Sequence, residues 1–195
     1  MIKAKIAKEY PNHVAKCLYS DKSLYLADYT NQTNSARGVE IFSGTPPTDI
    51  GYFTLQNDVN LKSCSITFDN TSFTRPDGSP LSQCECVVFP KTSDVNSWIL
   101  FVELKYSSET YHNNSNLKKA IEQLCKTRTY YYRKRIFLKT NPCYLLASLP
   151  KQAEPFPNTI ISQVDLIGLK RKYNIILRFV NRAEIQNDRV IRLDL

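Results

Sequence analysis

Cys84-Glu85-Cys86-Val87-Val88-Phe89-Pro90, a polar loop over residues 91–97, and Trp98-Ile99-Leu100-Phe101-Val102-Glu103-Leu104-Lys105 decide how this chain folds. Two apolar runs joined by a short polar loop read as a β-hairpin. Facing residues of an antiparallel pair have numbers with a constant sum. Centring the loop on Asp94 therefore sets Phe89 opposite Ile99, Val87 opposite Phe101 and Glu85 opposite Glu103. Side chains alternate faces along a strand, so Glu85, Glu103 and Lys105 gather at the open end of one face. Val88, Leu100, Val102 and Leu104 make the opposite face apolar too. Burial on both faces requires cover on both, which predicts a mixed sheet with helices on each side.

Charged side chains inside buried strands are unfavourable unless they are paired, protonated or bound to a metal. Two opposed carboxylates repel unless a proton or a cation lies between them. A hard divalent ion with oxygen ligands meets that demand. The plainer alternative is that Lys105 makes an ordinary ion pair with Glu103 or Glu85 at the end of the sheet. A register slip of one residue would send Glu85 to the other face.

Working outward, Ser65-Ile66-Thr67-Phe68 predicts a strand, Arg75-Pro76-Asp77-Gly78-Ser79 a turn, and residues 82–90 the return strand. With residues 98–105 this makes a three-strand antiparallel meander. A polar loop over 106–114 leads into a helix with Asn114 or Ser115 as its cap. Leu117, Ala120, Ile121, Leu124 and Tyr131 fall at helical spacing and predict its inward stripe. Cys143-Tyr144-Leu145-Leu146-Ala147-Ser148-Leu149 follows as a buried strand, so the helix reads as a crossover onto the same sheet. A Pro-rich link (150–157), a second helical pattern (160–172) and closing strands (174–180, 190–193) complete the chain. The first 60 residues alternate short apolar pieces (24–27, 39–42, 52–55) with turn-forming stretches such as 30–35 and 44–48, and assign no helix and no function. At 195 residues the chain suits one domain, with its core over about 64–149 and elaborations at 1–63 and 150–195.

Composition narrows the chemistry. No stretch reaches the roughly 18 apolar residues of a membrane helix, and residues 1–6 lack a secretory apolar run, so the expectation is a cytoplasmic protein. Two histidines, His13 and His112, give little basis for Ser-His or Cys-His catalysis, and five glycines leave little room for a phosphate loop. Six cysteines without two pairs at zinc-ligand spacing predict buried, reduced thiols. The net charge is +8, and residues 118–139 alone carry eight basic side chains against Glu122. Lys118, Lys119, Lys126, Arg128, Arg133, Lys134 and Arg135 around Tyr130-Tyr131-Tyr132 form the footprint of a polyanion binder. A solvated helix face anchored by tyrosines is the alternative.

A meander with an acid on its second strand, Glu103-Leu104-Lys105 as E-x-K on the third, then a crossover helix and a fourth strand, resembles the PD-(D/E)XK nuclease superfamily. The resemblance covers residues 64–149 and implies a restriction-endonuclease-like αβα core. Pro76-Asp77 offers a literal P-D, but Pro-Asp-Gly-Ser is turn chemistry and eight extended residues put Asp77 about 26 Å from Glu85. Glu85 takes the position where the family usually has Asp. The resemblance implies that Glu85 and Glu103 bind Mg²⁺ or Mn²⁺ with the Leu104 carbonyl, and that Lys105 orients or activates the attacking water. Gln123 resembles the polar helix position often found beside such sites, and Glu40 is the candidate for a further acid. The implied activity is metal-dependent hydrolysis of phosphodiester bonds in DNA, by a domain that works alone, as a dimer or in a larger complex. The alternative is an inactive module of the same fold that binds nucleic acid or a protein.

Overall fold

The two apolar runs form antiparallel strands in the predicted register. The computed structural model describes residues 1–30, 32, 37–156 and 160–193. Within it, Val87 pairs with Phe101, Cys86 with Val102 and Val88 with Leu100, which extends to Glu85 opposite Glu103. The stretch at 30–35 and the end of the 150–157 link fall partly outside the described residues.

The chain begins with α1 (Ile2–Glu9) and α2 (Pro11–Ala15), then β1 (Leu18–Ser20), β2 (Leu24–Asp28), β3 (Val39–Ser43) and β4 (Phe53–Gln56). The meander follows as β5 (Ser63–Thr67), β6 (Cys86–Pro90) and β7 (Ile99–Leu104), and α3 (Asn113–Arg133) leads to β8 (Cys143–Ser148). After these come α4 (Gln163–Tyr173), β9 (Ile175–Phe179), β10 (Arg182–Ile185) and β11 (Ile191–Arg192). One sheet has the order β1-β5-β6-β7-β8-β9, antiparallel through β7 and parallel from β7 to β9. The expected meander, crossover helix and fourth strand are therefore present. A second sheet has the order β11-β10-β4-β2-β3.

Every residue of β6, β7 and β8 is buried, so both faces of this sheet need apolar cover. One face presents Val87, Phe89, Ile99, Phe101 and Leu145 to α1 and α3, through Ile2, Ile6, Leu117, Ala120, Leu124 and Tyr131. Each such side chain contributes about 1.5–3 kcal/mol by leaving water. The other face presents Val88, Leu100, Val102 and Leu146 to Leu24, Leu26, Phe53, Leu55 and Ile185 of the second sheet. Helices on both sides were expected; the helices instead lie on one face, and a five-stranded sheet covers the other. The cause is the short apolar pieces of the first 60 residues. β4 alternates buried and half-buried positions, and β2 does so except at Ala27, which suits strands with one wetted face and not a helix. The class is mixed α/β, with two mixed sheets.

The cysteine expectation is corrected at two places. Cys17 precedes β1 and lies diagonal to Cys64, because Tyr19 pairs with Cys64 across the β1–β5 ladder. The two are joined as a disulfide with Cα atoms 5.9 Å apart, within the ordinary span of such a bridge. Cys125 is exposed, whereas Cys84, Cys86 and Cys143 are buried thiols. Among the described residues no helix is long and apolar enough to cross a membrane.

Candidate active site

Glu103 is the last but one residue of β7 and is 0% exposed. Strand alternation returns the chain to the same face two residues later, and Lys105 continues the β7–β8 ladder through its N–H to the Ser148 carbonyl at 2.9 Å. Its Nζ lies 2.5 Å from Glu103 Oε1 and 2.8 Å from Gln123 Oε1. Gln123, near the middle of α3, uses its other end to donate to the Gln83 carbonyl at 2.9 Å. The residue singled out as a helix position beside the site therefore holds Lys105 directly.

Glu85 stands just before β6, with its N–H on the Val102 carbonyl (3.1 Å) and its carbonyl accepting the Phe68 N–H (2.9 Å). The strand register places it opposite Glu103. Burial pushes the Glu85 pKa well above the usual carboxylate range, the Glu103 and Asp28 charges add to the push, and Lys105 opposes it. Burial also pushes Glu103 up to about 7, against the lowering pull of Lys105. Glu103 Oε2 is buried and has no hydrogen-bond partner among the described residues. The pair thus accommodates either a shared proton on Glu85 or a cation against that oxygen.

The site opens into a cavity of about 290 Å³ whose lining includes Asp28, Asp69, Gln83, Glu85 and Gln123. Asp28 ends β2 in the second sheet, so the cavity lies where the two sheets meet. The Tyr106 hydroxyl fixes that edge: it accepts the Asp28 N–H at 3.0 Å and donates to the Gly51 carbonyl at 2.7 Å. Asp69 is held well below the usual carboxylate range, chiefly by its 2.5 Å hydrogen bond from Lys16. Among the described residues, no three His, Cys, Asp or Glu side chains form a ready-made group for a metal ion.

Other candidates are placed elsewhere. Glu40, on β3, is clasped by Arg37 through Nε (2.8 Å) and Nη2 (2.7 Å), does not line the cavity, and has its pKa lowered by that contact. The Leu104 side chain faces the core between the sheets, while its carbonyl, the group named as a ligand, stays at the site in the peptide that joins Leu104 to Lys105. Asp77 caps its turn by accepting from the Ser79 N–H and hydroxyl. Of the basic residues, Lys118, Lys119, Arg133 and Arg135 are exposed, while Lys126 pairs with Glu122 and Lys134 with Glu9. Arg128 instead lies over the Tyr132 ring at 4.3 Å and the Phe137 ring at 5.7 Å, with a buried Nε. The three tyrosines also divide: Tyr131 is core, Tyr130 donates to the Ser82 carbonyl and Tyr132 carries Arg128.

Asp28, Gln83 and Tyr106 complete the site, and sequence reasoning did not assign them this role. The only local signal for Asp28 is an acid closing the apolar run Leu24-Tyr25-Leu26-Ala27. Compared with known protein families, curated proteins and solved structures, the chain significantly matches none.

Proposed function

We propose that this site belongs to a metal-dependent nuclease that hydrolyses phosphodiester bonds in DNA, distantly related to the PD-(D/E)XK enzymes. The observation that carries the reading is a half-buried Glu85 facing the fully buried Glu103, one of whose carboxylate oxygens has no hydrogen-bond partner among the described residues, with a lysine held beside it by Gln123. Oxygen donors are what Mg²⁺ or Mn²⁺ takes, and Mg²⁺ is commonly bound through only one or two carboxylates, with water filling the rest. Glu85 and Glu103 would hold the ion. Once bound, it supplies Lewis-acid polarisation of a phosphoryl oxygen and a bound water of lowered pKa. Lys105 holds a positive charge where charge develops on the phosphate, and Gln123 fixes the ammonium in place. Asp28 and Asp69 bring negative charge to the cavity rim, which disfavours an anionic backbone there unless a cation is present. The exposed Lys118, Lys119, Arg133 and Arg135 supply sequence-independent attraction for DNA.

The test is incubation of the purified protein with supercoiled and linear DNA in Mg²⁺ or Mn²⁺, alongside Glu103→Gln and Lys105→Met. Metal-dependent cleavage lost in both variants is the expected result. Salt-sensitive DNA binding without cleavage would favour the second reading, an inactive module of the same site. Cleavage that persists in Lys105→Met would remove Lys105 from the chemistry.

A further inference from the structure

Helix α3 grips the segment that leads into Glu85 at three consecutive residues. Tyr130 donates its hydroxyl to the Ser82 carbonyl at 3.1 Å, Gln123 donates Nε2 to the Gln83 carbonyl at 2.9 Å, and Thr127 Oγ1 accepts the Cys84 N–H at 2.8 Å. Positions 123, 127 and 130 fall at i, i+4 and i+7 and so share one helix face. Thr127 is the buried member: it is 0% exposed and Cys84 only 1%. Its hydroxyl hydrogen is already used, since Oγ1 donates to the Gln123 carbonyl one turn back at 3.0 Å. That donation leaves an acceptor lone pair for the Cys84 N–H. A buried N–H without a partner is costly, so the peptide before Cys84 is held where Thr127 offers that lone pair.

We propose that Thr127 is a positioning residue: by anchoring the Cys84 N–H, with Tyr130 holding Ser82, it sets where Glu85 stands against Glu103. Its effect on catalysis rests on the nuclease reading above; its effect on the carboxylate pair does not. The same hydroxyl also braces the helical turn that carries Gln123, so one side chain aligns the Glu85 arm and the Lys105 arm of the site. A purely space-filling threonine would be replaced by valine without consequence, because the two have nearly the same shape.

The test compares Thr127→Val with Thr127→Ser and Tyr130→Phe in the full chain. The first readout is the carboxyl ¹³C signals of Glu85 and Glu103 at pH 7, which needs neither metal nor DNA. Valine should move both signals, serine should leave them in place, and Tyr130→Phe should move Glu85 in the same direction by less. The second is DNA cleavage in Mn²⁺, where valine should lower kcat about tenfold or more with KM changed less than twofold, and serine should restore it. Unmoved signals in Thr127→Val, or equal shifts in the serine and valine variants, overturn the proposal. If Thr127→Val does not fold, Tyr130→Phe decides, and an unmoved Glu85 signal overturns it. Signals that move as stated in a protein that never cleaves DNA leave the positioning role standing and remove the nuclease reading.

Discussion

Lys105 and Glu103 sit two residues apart on one strand face with Nζ 2.5 Å from Oε1, yet Glu103 is wholly buried while the Lys105 side chain keeps 22% of its surface exposed. The pair is therefore unequal. Losing the lysine strands a charge in the core, whereas losing the glutamate leaves an ammonium that still reaches water.

Lys105→Met should accordingly destabilise the fold at pH 8 by about 3 kcal/mol or more, as expected when one partner of a buried ion pair is removed. Glu103→Gln should cost about 1 kcal/mol. Urea unfolding at pH 8 measures both. Repeating it at pH 5, where Glu103 can take a proton, should recover most of the loss in Lys105→Met.

The pH dependence of the native protein follows from the same pair. The folded pKa of Glu103 is raised to about 7 and that of Glu85 is raised well above the usual carboxylate range, both chiefly by burial. A carboxyl whose folded pKa lies above its unfolded value binds more protons when folded. Its stabilising contribution is full below the unfolded pKa, about 4.3, and is lost as pH rises through the folded value. Stability should thus fall between about pH 4.5 and 7, with a slope up to about 1.4 kcal/mol per pH unit for each proton held. Carboxylates with lowered pKa, such as Asp69, act in a lower window and in the opposite sense. Glu85→Gln should flatten the fall, as read by guanidinium unfolding across this range.

Trp98 ties the central sheet to the second one. It is 0% exposed, its Nε1–H donates to the Asn187 carbonyl at 2.8 Å, and its N–H donates to the Asp188 carbonyl at 3.1 Å, both in the turn between β10 and β11. Trp98→Phe leaves a partly buried carbonyl without its partner and removes ring volume. The expected loss is about 2–4 kcal/mol by thermal unfolding followed by circular dichroism.

Basic residues of α3 and its exit should separate into two classes. Lys118→Ala with Lys119→Ala should weaken DNA binding and reduce the slope of log affinity against log salt by about 2, without changing the unfolding midpoint. Arg128→Ala should do the reverse, because its guanidinium covers Tyr132 and Phe137. Fluorescence anisotropy with a labelled oligonucleotide at two salt concentrations, paired with thermal melts, distinguishes them.

Much of the candidate site is legible in one stretch of chain because strand geometry is local. Period-two alternation and a constant pairing sum are enough to put Glu85 opposite Glu103 with Lys105 beside them, and turn chemistry is enough to set Asp77 aside. The inward stripe of α3 is legible for the same reason, although the buried Thr127 is hidden there because its role is a hydrogen bond and not hydrophobicity. Asp28 is a different case. It reaches the cavity from a strand of the other sheet, and no periodicity in residues 24–28 says which sheet they join.

The amino-acid sequence by itself determined the meander, the crossover helix, the facing glutamates and the concentration of positive charge along residues 118–139, all of which follow from spacing within short segments. Only the tertiary structure decided that a second sheet, and not a helical layer, covers the far face, that Cys17 meets Cys64, that Asp28 and not Glu40 reaches the cavity, and that Arg128 covers Phe137 beyond the end of its helix. Those outcomes depend on which apolar faces find one another across the whole chain, and that competition among distant burial and pairing partners leaves no trace in local pattern.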